Sequence, residues 1–232
     1  MPSLLVRAAL VASIVALPGL ASAIPLMPDT FEDGTTMGWF VPGVSPFPPV
    51  NIADGGPAGA GDAYLELTAT GDSGLPGGRL SVLNDSQWTG NYAGLTAITM
   101  DVNNFGPSDV VLRLLLEHFP MPGPPTDLAV TLADVTVPAG SGWTSVTFDL
   151  TAANLDAIIG TVGAARSGVG VLRLFHNPVA THPGPPIGPP AVNVVLGVDN
   201  ITAVVPEPVT SVLLAGGIGA YLVRRRVLRS GT

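Results

Sequence analysis

The chain has 232 residues, with 17 acidic side chains against nine basic ones, and a net charge of −8. It contains no cysteine, which excludes disulfide staples, thiolate metal sites, iron–sulfur clusters and cysteine nucleophiles together. Glycine (29) and proline (24) are abundant, but the prolines cluster at 42–49, 120–125 and 183–190 and leave patterned segments between them, so loops and strands are expected rather than disorder.

Residues 1–23 read as a secretory signal peptide. Arg7 supplies a positive start, and the apolar run 8–17 is too short for a comfortable membrane span. Pro18 and Gly19 break that run, and Ala21-Ser22-Ala23 has the small-x-small pattern that signal peptidase accepts. A retained N-terminal anchor is the alternative. Export then leaves a domain over 24–205, and about 180 residues suffice for one core burying roughly 70% of the unfolded surface.

The charge of that domain differs from that of the chain. All 17 acids lie between residues 24 and 207 with only four arginines (Arg79, Arg113, Arg166, Arg173), a net of −13. Phosphate binding needs positive charge, so nucleic acid and anionic lipid are excluded as partners.

Along the domain the apolar residues recur with period two. Strands are expected at 63–70 and 78–83, then through Ile98, Met100 and Val102, then through Leu112, Leu114 and Leu116, with Arg113 and Glu117 opposite. Further strands follow at 128–137, through Val146, Phe148 and Leu150, at 171–175, and through Val192, Val194, Leu196 and Val198. Only 151–159 looks helical, with Thr151 as its N-cap. One wet and one buried face on many short strands predicts an all-β, antiparallel two-sheet sandwich of jelly-roll type.

Two stretches are alike. Val111-Leu-Arg-Leu leads to His118-Phe-Pro, and Val171-Leu-Arg-Leu leads to His176-Asn-Pro, each followed by Pro-Gly-Pro-Pro. Either two related strands deliver similar loops to one rim, bringing His118 and His176 together, or the likeness is chance. There is no Gly-x-Ser-x-Gly elbow, no His-Glu-x-x-His and no glycine-rich phosphate loop. A carboxylate pair for glycoside hydrolysis stays open, because 17 acids always allow one. Trp39, Phe40, Trp88, Tyr92 and Trp143 are the large rings suited to stack on sugars. Trp88, Tyr92 and Trp39 are the leading ligand-binding candidates. Trp88 leads because Asn84, Asp85, Gln87 and Asn91 surround it in a turn-rich stretch.

The C-terminus has three parts. Pro206-Glu207-Pro208 precedes an uncharged helix-forming segment, 209–223, and then Arg224, Arg225, Arg226 and Arg229. Fifteen residues span only about 22 Å of a roughly 30 Å hydrocarbon core, so the segment is a short transmembrane helix whose arginines snorkel and hold that end in the cytoplasm. This order resembles the PEP-CTERM sorting signal, which matches Pro206, Glu207 and Pro208 residue by residue. The resemblance implies that 206–232 is a sorting region processed by exosortase in a Gram-negative bacterium. It implies transient anchoring at the inner membrane and a final place at the cell surface or in the extracellular matrix.

A second resemblance rests on the domain's ends, Asp29-Thr-Phe-Glu-Asp-Gly near the start and Leu196-Gly-Val-Asp-Asn-Ile near the finish. They are similar to the frame of carbohydrate-binding jelly-roll modules, whose first and last strands are adjacent and hold a structural calcium. The resemblance implies Glu32 and Asp199 as ligands, with Asp29 or Asp33 as additions; nothing else in the sequence calls for a cofactor. Together these readings lead to a non-catalytic surface or matrix module that associates with exopolysaccharide. A secreted polysaccharide hydrolase or lyase, and a structural spacer without ligand, are the alternatives.

Overall fold

The computed structural model describes residues 27–72, 77–183 and 188–206. The signal peptide with Ala21 and Ala23, the sorting residues Glu207 and Pro208, the 209–223 span and arginines 224–229 lie outside the described residues. Among the described residues no helix is long and apolar enough to cross a membrane.

Among the described residues, twelve strands form two antiparallel sheets. In chain order they are β1 (Trp39–Phe40), β2 (Val50–Ile52), β3 (Tyr64–Thr70), β4 (Ser81–Asn84), β5 (Ala97–Asn104) and β6 (Val110–His118). Then come β7 (Asp127–Thr131), β8 (Val135–Val137), β9 (Thr144–Asp149), β10 (Leu155–Ile159), β11 (Val169–His176) and β12 (Asn193–Val204), with one short helix, α1 (Val162–Ser167), before β11. A seven-stranded sheet runs β1-β4-β11-β6-β7-β10 with β8 also on β6; a five-stranded sheet runs β2-β3-β12-β5-β9. The last strand therefore lies at the centre of its sheet, between β3 and β5.

Alternation puts the core where the sequence pattern expects it. Leu65, Leu67, Ile98, Met100, Val102, Phe148, Leu196 and Val198 face inward from the five-stranded sheet, and Val82, Leu112, Leu114, Leu116, Leu172 and Leu174 from the seven-stranded one; all are buried. Two inner faces interdigitating in this way exclude water from both sheets at once.

The helix expected at 151–159 is not formed. Thr151 opens a single 3-10 turn, Ala152–Asn154, and the chain then extends as β10, pairing with β7. Leu155 is buried in the core, while Ile158 packs on a small cluster outside the sheet; β10 thus needs apolar contacts on both of its faces, which a helix would not provide. The N-cap belongs to α1 instead, where Thr161 Oγ1 accepts from the Ala164 N–H at 3.1 Å. The strand expected over 128–137 is broken into β7 and β8 at residues 132–134. Arg113 fills the break: its Nη1 donates to the carbonyls of Thr131, Leu132 and Ala133 at 2.8, 3.0 and 3.3 Å. Its Nε donates to the Asn177 carbonyl at 2.8 Å, and Nη2 pairs with Asp134.

One carboxylate joins the ends of the domain to both sheets. Asp29 pairs through its backbone with Ile201, within the bulge of β12. Its side chain is buried, and Oδ2 accepts from Trp39 Nε1 and from Trp88 Nε1, both at 2.8 Å, while Oδ1 accepts from Gln87 Nε2 at 2.7 Å. Burial raises the Asp29 carboxyl above its ordinary range, and the two indoles and the glutamine pull it back. Asp29→Ala strands two indole donors in the core, so it should lower the unfolding free energy by about 2–4 kcal/mol. Chemical denaturation followed by tryptophan emission measures this, and a loss under about 0.5 kcal/mol would show that the carboxylate is not a hub.

Candidate functional site

Where the first and last parts of the domain meet, acids gather. Asp199, on β12, is buried, and its Oδ1 has no hydrogen-bond partner. Its Oδ2 accepts from Asn200 Nδ2 at 3.0 Å, and the same amide donates to Asp101 Oδ2 at 2.9 Å. Asn200 takes a left-handed backbone (φ 52°) within the bulge, which turns its side chain to that bridging position. The Asp199 carboxyl is pushed up to about 7, mainly by burial, with the charges of Asp62, Asp101 and Glu32 adding to it. Glu32 reaches the same corner by accepting from the Ala63 N–H at 2.9 Å, next to Asp62.

Glu32 and Asp199 are thus brought into electrostatic range, as the frame resemblance implies. The two added candidates are not part of this corner. The Asp29 carboxylate is consumed by the indoles and the glutamine. Asp33 caps its own turn by accepting from the Thr35 N–H at 2.8 Å.

The leading aromatic candidates are core residues, and this corrects the expectation. Trp88 and Tyr92 are 0% exposed and Trp39 is 2% exposed, so none can meet a sugar. The polar residues around Trp88 are occupied internally: Gln87 holds Asp29, and Asn84 Oδ1 accepts from the N–H groups of Ser86 and Trp88. The Tyr92 hydroxyl donates to the Trp88 carbonyl at 2.7 Å. Trp143, named with them, is only half-buried. It stands on the outer face of the five-stranded sheet with Tyr64 and Phe105, two rings not singled out from sequence. The signal for them lay in the alternation: with Leu65 and Leu67 inward, Tyr64 falls on the wet phase of β3.

The repeated Val-Leu-Arg-Leu stretches do not share a rim. β6 and β11 are antiparallel neighbours, with Val169 opposite His118 and His176 opposite Leu112. His118 and His176 therefore sit at opposite ends of the sheet. His118 Nδ1 lies 3.1 Å from Asp127 Oδ2. On the outer face of this sheet Leu115, Leu128, Val130 and Phe175 form a second buried cluster with Ile158 and Ala180, and Arg173 Nε donates to Glu117 Oε1 at 2.6 Å. That face is roofed by residues 177–183, and Arg113 ties the roof down through the Asn177 and Pro178 carbonyls.

No family model and no curated protein matches the chain. Solved structures do. The family 11 carbohydrate-binding module from Clostridium thermocellum, in complex with a β-1,3-1,4-mixed-linked tetrasaccharide, is similar with a TM-score of 0.51 at 12% identity, covering 79% of this chain and 97% of that one. An exo-β-agarase is similar with a TM-score of 0.55 at 11% identity, over 79% of this chain and 26% of that one. At such identities the likeness is one of fold: an all-β, two-sheet sandwich of the kind found in carbohydrate-binding modules.

The roof of the seven-stranded sheet should respond to acid. His182 packs edge-on against Phe175, 5.1 Å between ring centroids at 80°. Burial, helped by the Arg173 charge, lowers the His182 pKa from 6.5 to about 4. Between those values the unfolded chain holds the extra proton and the folded chain does not, so this histidine makes stability fall as pH drops from about 6.5 towards about 4. His176, lowered by its own burial, acts in the same direction. The slope of melting temperature against pH across this window should be shallower in His182→Phe than in the parent. An identical slope would show that His182 is not the titrating group.

Proposed function

We propose that the chain is an exported, non-catalytic module that associates with polysaccharide at the cell surface or in the extracellular matrix. What carries this reading is the junction of first and last segments: Asp29 bridges to Ile201, and Glu32 and Asp199 share one acidic corner. This junction resembles the frame that the ends of the sequence suggest, that of carbohydrate-binding jelly-roll modules. The signal peptide, the Pro206-Glu207-Pro208 motif, the 209–223 helix and the arginine cluster add the route. Signal peptidase acts after Ala23, and exosortase acts near Glu207 while Arg224, Arg225 and Arg226 hold the tail at the inner membrane.

The acidic corner suits a structural calcium ion. Calcium takes six to eight oxygens, from carboxylates and carbonyls alike, and the unpartnered buried Asp199 Oδ1 is the atom that most needs a cation. Among the described residues no three His, Asp or Glu side chains converge as a ready ligand set. Backbone carbonyls would therefore complete the shell around Glu32 and Asp199. Bound calcium would neutralise the mutual repulsion of the corner and fasten the first segment to the last strand. Calcium at about a hundred times its dissociation constant should stabilise the fold by about 2.7 kcal/mol. The shift in melting temperature should vanish in the Glu32→Ala, Asp199→Ala double variant. No shift with calcium in the parent removes the ion from the account.

For the function itself, the purified full chain in a non-glycosidic detergent should be retained by the producing cell's own polysaccharide in a pull-down. Failure to bind it would count against the proposal. A hydrolase or lyase would instead cleave that polymer, with activity lost on changing one carboxylate pair, and a spacer would self-associate without binding any glycan.

A further inference from the structure

The two outer faces of the sandwich differ. That of the seven-stranded sheet is roofed, whereas that of the five-stranded sheet carries Tyr64, Phe105 and Trp143 in mutual contact, with ring centroids 5.3–6.1 Å apart. The cluster is seated on Gly197 in the middle of β12. A Cβ there would come within 2.8 Å of Trp143 and 2.9 Å of Phe105, so the missing side chain is what lets the rings settle on the sheet. Trp143 is fixed from the side, where its Nε1 donates to the Gly55 carbonyl at 2.9 Å. Phe105 is 47% exposed, and Val50, on the same face across from Glu66, is 48% exposed. Phe105 and Trp143 are thus anchored but only partly covered, while Tyr64, 8% exposed, is buried against them, and a rigid aromatic surface costs little conformational entropy when it binds.

The surroundings define the ligand. Glu66 and Asn103 flank Gly197 on the two neighbouring strands, and Asp101 and Ser145 lie one row along. Asn103 is buried and Asp101 is held by Ser145 and Asn200, which leaves Glu66 and the exposed Ser145 hydroxyl as the groups suited to sugar hydroxyls. None of the four arginines of the domain belongs to this sheet: Arg113 and Arg173 lie on β6 and β11, Arg166 on α1, and Arg79 before β4. Arg113, Arg166 and Arg173 are also engaged with carbonyls or Glu117. A glycan bearing carboxylates or sulfates would meet the carboxylate of Glu66 here and no arginine of this sheet.

We propose that the Phe105–Trp143 surface, backed by Tyr64, is the glycan-binding face, and that its ligand is a polysaccharide of neutral sugars stacked on those two rings and hydrogen-bonded to Glu66. This deepens the polysaccharide-association reading and rests on it. The face lies on the sheet that holds the last strand, and the roofed sheet is not used.

The test uses the full chain in a non-glycosidic detergent, with mixed-linked β-glucan, xylan and galactomannan as neutral probes and alginate as the anionic one. Trp143 is the reporter, because Trp39 and Trp88 are buried. A neutral polymer should shift its emission, and Trp143→Ala and Phe105→Ser should each weaken binding roughly tenfold, about 1.4 kcal/mol. Phe105→Ser, at a half-exposed position, should lower the melting temperature by only a few degrees, so that lost binding measured well below the melting temperature is not lost folding. Alginate should bind at least about tenfold more weakly than the best neutral polymer at physiological salt. Retained binding in both variants, or loss only in Phe119→Ser beside β11, would move the site to the other sheet while leaving the module reading intact. Alginate bound as tightly as the neutral polymers would overturn the ligand class. No binding to any polymer, including the producing cell's own, would overturn both readings together.

Discussion

The fold depends on a buried carboxylate. Asp29 is among the first described residues, yet it bonds two indoles and an amide drawn from β1 and from the turn after β4, while its backbone pairs with the last strand. A buried charge is tolerated only where its lone pairs are filled, and here three donors fill them. The cost of burial and the compensating bonds are both confined to one point. Displacement of the first segment therefore uncouples the seven-stranded sheet from β12 and leaves two tryptophan N–H groups without acceptors. With no disulfide to share the task, this contact and the packing of the two inner faces hold the sandwich closed.

This hub also explains which features were legible in the sequence. Period-two patterns are local, and the strands through Ile98, Leu112, Phe148 and Leu196 lie where alternation places them, with Arg113 and Glu117 opposite the core face of β6. The destination of Trp88 is not local. Its donor finds an acceptor 59 residues earlier, and nothing in Asn84–Asn91 distinguishes a ring bound for a buried carboxylate from one offered to a ligand. The segment 151–159 failed as a helix for a related reason: its apolar residues serve two separate clusters on opposite faces of a strand, and the second cluster exists only once β7 and β11 are in place. The likeness of the two Val-Leu-Arg-Leu stretches was real as sequence, but strand direction, which sequence does not carry, sends their histidines to opposite ends.

The acidic corner was open to sequence reasoning through a resemblance: Phe-Glu near the start and Asp-Asn-Ile near the finish are similar to the frame of carbohydrate-binding jelly-roll modules, which implies a pairing of ends. The aromatic face was only partly so. Trp143 was visible as a ring, but what exposes it is Gly197, a residue without a side chain on a strand 54 positions away. A glycine inside an alternating strand marks close approach by something else, and here that something is an aromatic cluster. The two features share a loop: residues 54–62 carry Gly55, which holds Trp143, and Asp62, which bears on Asp199. The loop is braced from within, as the Gly61 N–H reaches Asp54 and the Ala58 N–H reaches Asp62, so the corner and the rings are set by one piece of backbone.

The bridge between Asp29 and Ile201 also has a mechanical meaning. Antiparallel pairing brings the two ends of the described fold out side by side and pointing the same way. A force drawing those ends apart loads first the two backbone hydrogen bonds between Asp29 and Ile201, in an opening rather than a shearing geometry. Backbone bonds in that geometry resist weakly. The grip of Asp29 on Trp39 and Trp88 lies directly behind the first bond to yield, and it is the latch that a tug on either end must break before the sandwich opens.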